Sequence, residues 1–325
     1  MKQLKSKLSI LLVLQLVLIG GLLLINQNSS EQHPQQSLMK FVINDVNKII
    51  IDGEDKTISL QKVDQQWQLP ELKNLPAESN KITQALNKLS ELKTGWPTTT
   101  TASAHQRFAV ADDKYQRRIQ LFKGDNIVDE IYLGTSPGFR KVHVRKPSDS
   151  EVYSVKLNTF DFPVNNNDWL EKSLLNSQSV SKIKGNDFEL VKSGEDWQLA
   201  DSQTENLMLD AEKASTLAQS LANLNVIALA DSTPASQAVT LEVTDEKVTH
   251  QYQFYQQESD YFVARNDIEG YFKISQSDFD TITQNKLENL LKTPKQTEDS
   301  LTDTAPVESE PVKNNESDTP LLTND

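Results

Sequence analysis

The chain has 325 residues, enough for two domains of ordinary size, and with 37% hydrophobic and 24% charged residues it can bury a core. A formal net charge of -13 disfavours a nucleic-acid partner, because such a surface repels phosphates. The lack of cysteine excludes disulfides, thiolate catalysis, cysteine-ligated metals and an acylated lipoprotein anchor.

Residues 1–7 are a basic start carrying Lys2, Lys5 and Lys7. An apolar run follows from Leu8 to Ile25, interrupted only by Ser9, Gln15, Gly20 and Gly21. As a helix, about 18 such residues rise roughly 27 Å, close to the thickness of a hydrocarbon core. A cleavable signal peptide would have a shorter apolar stretch ending in a small-x-small site, whereas this run leads into Asn26-Gln27-Asn28-Ser29-Ser30-Glu31. The expectation is an uncleaved signal-anchor, one transmembrane helix over 8–25, with Gln15 a tolerated amide. Three lysines precede the run and no Lys or Arg follows until Lys40. The positive-inside rule then keeps the N-terminus cytoplasmic and places the bulk of a bacterial chain in the periplasm, single-pass at the inner membrane.

After a polar linker over 26–40, one pattern runs twice. Val46-Asn47-Lys48-Ile49 opens the first copy and Val180-Ser181-Lys182-Ile183 the second; each then reaches Trp-Gln-Leu, at Trp67–Leu69 and Trp197–Leu199. Both tryptophans are expected in the core. A helix is predicted next in each copy. Its apolar stripe is Ile82, Ala85, Leu86, Leu89, Leu92 in one and Ala214, Leu217, Ala218, Leu221, Leu224 in the other, with Asp210 as an N-cap. Strands follow: 118–122, 127–133, 142–145 and 151–157 in the first copy, with turns at 123–126 and 146–150. In the second copy they are 240–243, 251–255, 261–264 and 271–274. A closing helix is expected over 168–175 and again over 286–291. The predicted fold class is α+β: one N-terminal transmembrane helix, then two tandem copies of a mostly antiparallel sheet-plus-helices domain, 41–176 and 177–293. Residues 294–325, acidic and carrying Pro294, Pro306, Pro311 and Pro320, read as a disordered tail.

Trp67-Gln68-Leu69 before an amphipathic helix, Tyr132-Leu133-Gly134 opening a turn, Val142-His143-Val144-Arg145 leading to Glu151-Val152-Tyr153, and the closing Trp169-Leu170 together resemble the bacterial domain-of-unknown-function family 4340. The resemblance covers most of 41–293, as two copies. In the second copy Asn266-Asp267-Ile268-Glu269-Gly270 is read as replacing the longer Gly-Pro loop of the first. The resemblance implies an envelope protein, with some members associated with transporter systems, and no catalytic residues are carried over from it.

No constellation for chemistry stands out. The four histidines His33, His105, His143 and His250 have no metal-ligand spacing. The loop Gly134-Thr135-Ser136-Pro137-Gly138 precedes a strand, so it lacks the helix dipole of a phosphate cradle. Asp112 with Asp113, and Asp201 with Asp210, are carboxylate pairs of little weight in so acidic a chain. One feature rises above background: Arg140, Lys141, His143, Arg145 and Lys146 gather positive charge on one strand, a candidate contact for an anion or partner. An edge strand kept soluble by charge is the plainer reading. Alternation is expected to turn Lys141, His143 and Arg145 to solvent. The functional expectation is a non-enzymatic membrane-anchored envelope accessory protein, without cofactor or metal, that binds a membrane or periplasmic protein. An envelope-polymer hydrolase using carboxylates and a lipid- or glycan-binding module are the alternatives.

Overall fold

The computed structural model describes Gln15 and residues 36–200, 207–246 and 248–292. The first half opens with β1 (Lys48–Asp52), whose Ile49 and Ile51 alternate inward, and continues through β2 (Thr57–Val63), β3 (Gln66–Leu69) and β4 (Leu75–Pro76). Helix α1 (Ser79–Ser90) and β5 (Pro97–Thr99) come next. An excursion then carries the short helix α2 (His105–Phe108) and the small hairpin β6 (Val110–Ala111) and β7 (Lys114–Tyr115). A meander of β8 (Arg117–Lys123), β9 (Asn126–Leu133), β10 (Val142–Arg145) and β11 (Val152–Val155) completes it. Nine of these strands form one antiparallel sheet, ordered β4-β3-β2-β1-β8-β9-β10-β11-β5.

The second half runs β12 (Val180–Lys184), β13 (Glu189–Ser193), β14 (Asp196–Leu199), α3 (Ala211–Ala222), β15 (Ala228–Leu229), β16 (Val239–Asp245), β17 (Val248–Gln257), β18 (Asp260–Arg265) and β19 (Ile268–Ile274). Two helices follow, α4 (Gln276–Thr283) and α5 (Leu287–Leu290). Its eight-stranded sheet is ordered β14-β13-β12-β16-β17-β18-β19-β15. Strand for strand this is the order of the first sheet without the outermost β4.

The α+β expectation is corrected. The architecture is two large antiparallel sheets with few helices, the longest described being α1 and α3 at 12 residues each. Among the described residues no helix is long and apolar enough to cross a membrane. The transmembrane helix expected at 8–25, Gln15 aside, lies outside the described residues, as does the tail from 294. The predicted amphipathic helices are present, and Asp210 caps α3 by accepting from the backbone N–H of Glu212 at 3.1 Å and Lys213 at 3.4 Å, worth about 1 kcal/mol.

The closing helix over 168–175 does not form. Its backbone is recruited by β4: Glu78 N–H donates to Trp169 O at 2.8 Å and Glu171 N–H to Pro76 O at 2.9 Å, around a bridge between Ala77 and Leu170. Carbonyl and amide groups spent on a neighbouring strand are not available for an i to i−4 ladder. The second half repeats this contact with a single helical turn before it. Asp210 N–H donates to Leu290 O at 2.8 Å, beside a bridge between Leu209 and Leu291.

Trp67 and Trp197 are buried as expected, in β3 and β14. Buried side chains of both sheets form one continuous cluster. Its seam is polar and specific. The Lys172 ammonium donates to Asn167 O at 2.7 Å and Ile227 O at 2.8 Å, and Leu229 N–H donates to Asn167 Oδ1 at 3.0 Å. Tyr252 reaches back to donate its hydroxyl to Leu175 O at 2.7 Å.

Candidate functional site

Strand β10 lies inside its sheet. Val144 pairs with Leu133 of β9, and Val142 with Val155 of β11, so it is not an edge. Alternation sends Val142 and Val144 into the core, as read from the sequence. The opposite face is covered as well. The excursion over 102–115, whose Val110 is fully buried, packs there with Phe108, Tyr115, Tyr132 and Val152 in a small second core. His143 and Arg145 therefore sit beneath protein and not at the surface.

Arg145 is only 3% exposed. Its Nε donates to Val110 O at 2.7 Å, its Nη1 to the carbonyls of Lys146, Pro147 and Asp149 at 3.1, 3.0 and 3.3 Å, and its Nη2 to Asp112 Oδ1 at 2.5 Å. The guanidinium also stacks over Tyr132, 4.8 Å from the ring centroid. A fork with five donors is spent on fixing the excursion and the 146–149 turn. The hydrogen bond from Arg145, opposed by partial burial, holds the Asp112 carboxyl below its ordinary range. His143 faces Phe108, ring centroids 4.4 Å apart, and its Nδ1 lies 3.0 Å from Thr135 Oγ1. Burial pushes its imidazole below the ordinary histidine range.

Lys146 leaves the strand half-buried in an ion pair with Asp129, which also accepts from Lys40 N–H at 2.5 Å. Burial, and less so Lys40, lowers the amine to about 8 against the pull of Asp149. The Asp129 carboxylate in contact with it favours the charged form, and the two side chains stand as an ion pair. This pair lines a polar cleft of about 520 Å³ with Asp149 and Tyr153.

Arg140 and Lys141 are different. They are exposed on the loop between β9 and β10, which Ser136 closes by facing the carbonyls of Gly138 and Lys141, each at 2.8 Å. Arg140 adopts a left-handed backbone (φ 53°), and its guanidinium covers the ring of Phe139 at 4.9 Å. Phe139 is 86% exposed, and Phe160, from the loop after β11, is 84% exposed. Both line one cleft of about 380 Å³ together with Arg140, Lys141 and Asn158. Arg140 also borders a second cleft of about 560 Å³ with Lys88, Glu91, Leu92 and Lys156.

The five residues read as one charged strand thus separate into two groups. His143, Arg145 and Lys146 hold the fold, and Arg140 and Lys141 flank an aromatic tip. Sequence reading missed Phe139 and Phe160; the available signal was a phenylalanine directly after Pro-Gly, at a loop apex where a core is out of reach.

The described members of the acidic pairs make structural contacts. Asp112 pairs with Arg145, Asp113 accepts from Gln106 Nε2 at 2.5 Å, Asp210 is a helix cap, and Asp201 lies outside the described residues, as does His33. Among the described residues no group of three or more His, Asp or Glu side chains is placed to hold a metal ion. The loop from Gly134 to Gly138 is a strand connection. Its counterpart by strand order is the Glu258–Ser259 turn between β17 and β18, not 266–270, which begins at the next turn. The tip loop and the 102–115 excursion are thus both elaborations of the first half, and they meet: Thr135 N–H donates to Phe108 O at 2.8 Å.

A family model described as "Domain of unknown function (DUF4340)" matches residues 67–247 in one continuous stretch, from β3 through the tip loop and β10 to the turn after β16. No curated protein and no solved structure matches the chain.

Proposed function

The chain belongs to the DUF4340 family, more than half of its length falling within the match, and from that premise we propose that it is a non-enzymatic accessory protein of the bacterial envelope that makes its contact through the Phe139–Phe160 tip. The observation that carries this is the pair of phenylalanines, each more than four-fifths exposed, Phe139 on the loop that Ser136 closes and Phe160 on the loop after β11, where its N–H donates to Asn158 Oδ1 at 3.1 Å. Exposed aromatics cost solvation free energy, and rigid aromatic anchors with adjacent arginine are typical of binding hot spots. The apolar run at Leu8–Ile25 and the lysines before it support a location at the inner membrane with the two-sheet body on the periplasmic side.

Within this reading the body arose by tandem duplication. Three correspondences support it: the shared strand order, Trp67 and Trp197 in equivalent strands, and the matched bridges Ala77 to Leu170 and Leu209 to Leu291. The second half keeps short turns, and the first half carries the added elements that build the tip.

The absence of cysteine makes a direct test simple. Phe139→Cys, Phe160→Cys and, as a control, Val248→Cys are labelled in native envelope preparations and again after detergent. The reading expects positions 139 and 160 to label roughly tenfold more slowly before detergent, as for a surface occluded by its partner, and 248 to be unchanged. Equal labelling at all three positions would overturn it.

A further inference from the structure

We propose that the Phe139–Phe160 tip docks on an anionic lipid bilayer, the two rings entering the headgroup region while Arg140, Lys141 and Lys156 meet lipid phosphates. This rests on the reading that the tip is the contact surface, and it names what the surface contacts.

Charge complementarity favours a bilayer. In a chain of net charge -13, the charged side chains lining the two clefts that share Arg140 are Lys88, Arg140, Lys141 and Lys156 against Glu91 and Asp161. Of the two carboxylates lining the larger cleft, Asp161 is already paired with Lys88 at 2.7 Å, which leaves Glu91 against Arg140 and Lys156. Basic side chains beside aromatic rings form the pattern that settles at a membrane interface, where the apolar part is buried and the cations stay with the phosphates. Geometry points the same way. Two rings displayed on ordered loops, almost wholly free of their own protein, can wedge between headgroups without a complementary pocket.

The test uses the full chain in proteoliposomes, with a nitroxide on Phe139→Cys, on Phe160→Cys or, as control, on Val248→Cys. Bilayers of phosphatidylcholine alone are compared with bilayers containing phosphatidylglycerol. In the anionic bilayer the labels at 139 and 160 should become accessible to oxygen and shielded from an aqueous nickel chelate, at a depth of about 5 to 10 Å, and the label at 248 should stay aqueous. Adding Arg140→Glu and Lys141→Glu should return the label at 139 to water and leave 248 unchanged. Aqueous labels at 139 and 160 in both bilayers would overturn the proposal, and so would equal burial in the zwitterionic bilayer. If those labels are aqueous in pure lipid while cysteines 139 and 160 remain protected in native envelopes, the tip contacts a protein: bilayer docking falls and the contact-surface reading stands. If neither measurement shows protection, both fall.

Discussion

Gly134 sits so close to Phe108 that a Cβ built on it would lie 2.0 Å from the Phe108 carbonyl oxygen and 2.5 Å from that of Ala109. Both obstacles are backbone, so neither can swing aside. This approach locks the base of the tip loop to the excursion that roofs His143 and Arg145, and it links the two elaborations of the first half. Gly134→Ala should therefore lift the excursion, at about 1 to 3 kcal/mol, the range for forced overpacking. Urea unfolding measures the cost, and amide exchange should show residues 105–115 losing protection first. A change under about 0.5 kcal/mol, the ordinary scale of a surface substitution, would mean that the two elements are not mechanically joined.

Arg145 is the roof's main fastening. Arg145→Met should cost about 3 kcal/mol or more, because it leaves the carbonyls of Val110 and Pro147 without their donor. Asp112→Asn should cost under about 1 kcal/mol, since the Asp112 side chain is 77% exposed and solvent screens the pair. If the two substitutions destabilise equally in denaturant titrations, the ion pair and not the carbonyl network holds the excursion.

His143 provides a pH handle. Burial lowers its folded pKa below the ordinary value near 6.5. The unfolded chain therefore binds the proton more readily, so this contribution is complete above pH of about 6.5 and declines as pH falls toward the folded pKa. The slope from one such group cannot exceed about 1.4 kcal/mol per pH unit. Unfolding at pH 7.5 and 5.0 should show a smaller acid loss in His143→Asn than in the parent chain. Equal losses would assign the acid sensitivity to other groups.

The two tryptophans test the proposed duplication energetically. Trp67→Ala and Trp197→Ala each remove a buried ring from equivalent strands and should each cost roughly 3 to 5 kcal/mol. A cost under about 1 kcal/mol at either position would break the equivalence.

These predictions also mark what could be read from sequence. The stripes of α1 and α3, the Trp-Gln-Leu strands and the hairpins at 123–126 and 146–150 are local patterns of period 3.6 or 2, and they are found where they were read. The 168–175 segment was not legible, because the competitor for its backbone is Pro76–Glu78, some ninety residues earlier. The same limit applied to β10. Its alternation was correct, but nothing near His143 or Arg145 in the sequence reveals that residues 102–115 cover that face. Phe139 and Phe160 were missed because a phenylalanine is read by default as core.

The most direct test of the central claim places a photo-crosslinking amino acid at 139, or at the control position 63, in the full chain within cells. Val63 is likewise an exposed hydrophobe, but on β2 and away from the tip. The account predicts adducts at position 139 that diminish when Arg140 and Lys141 are both changed to Glu, and none of comparable yield at 63. Equal adducts at both positions, or none at 139, would contradict it.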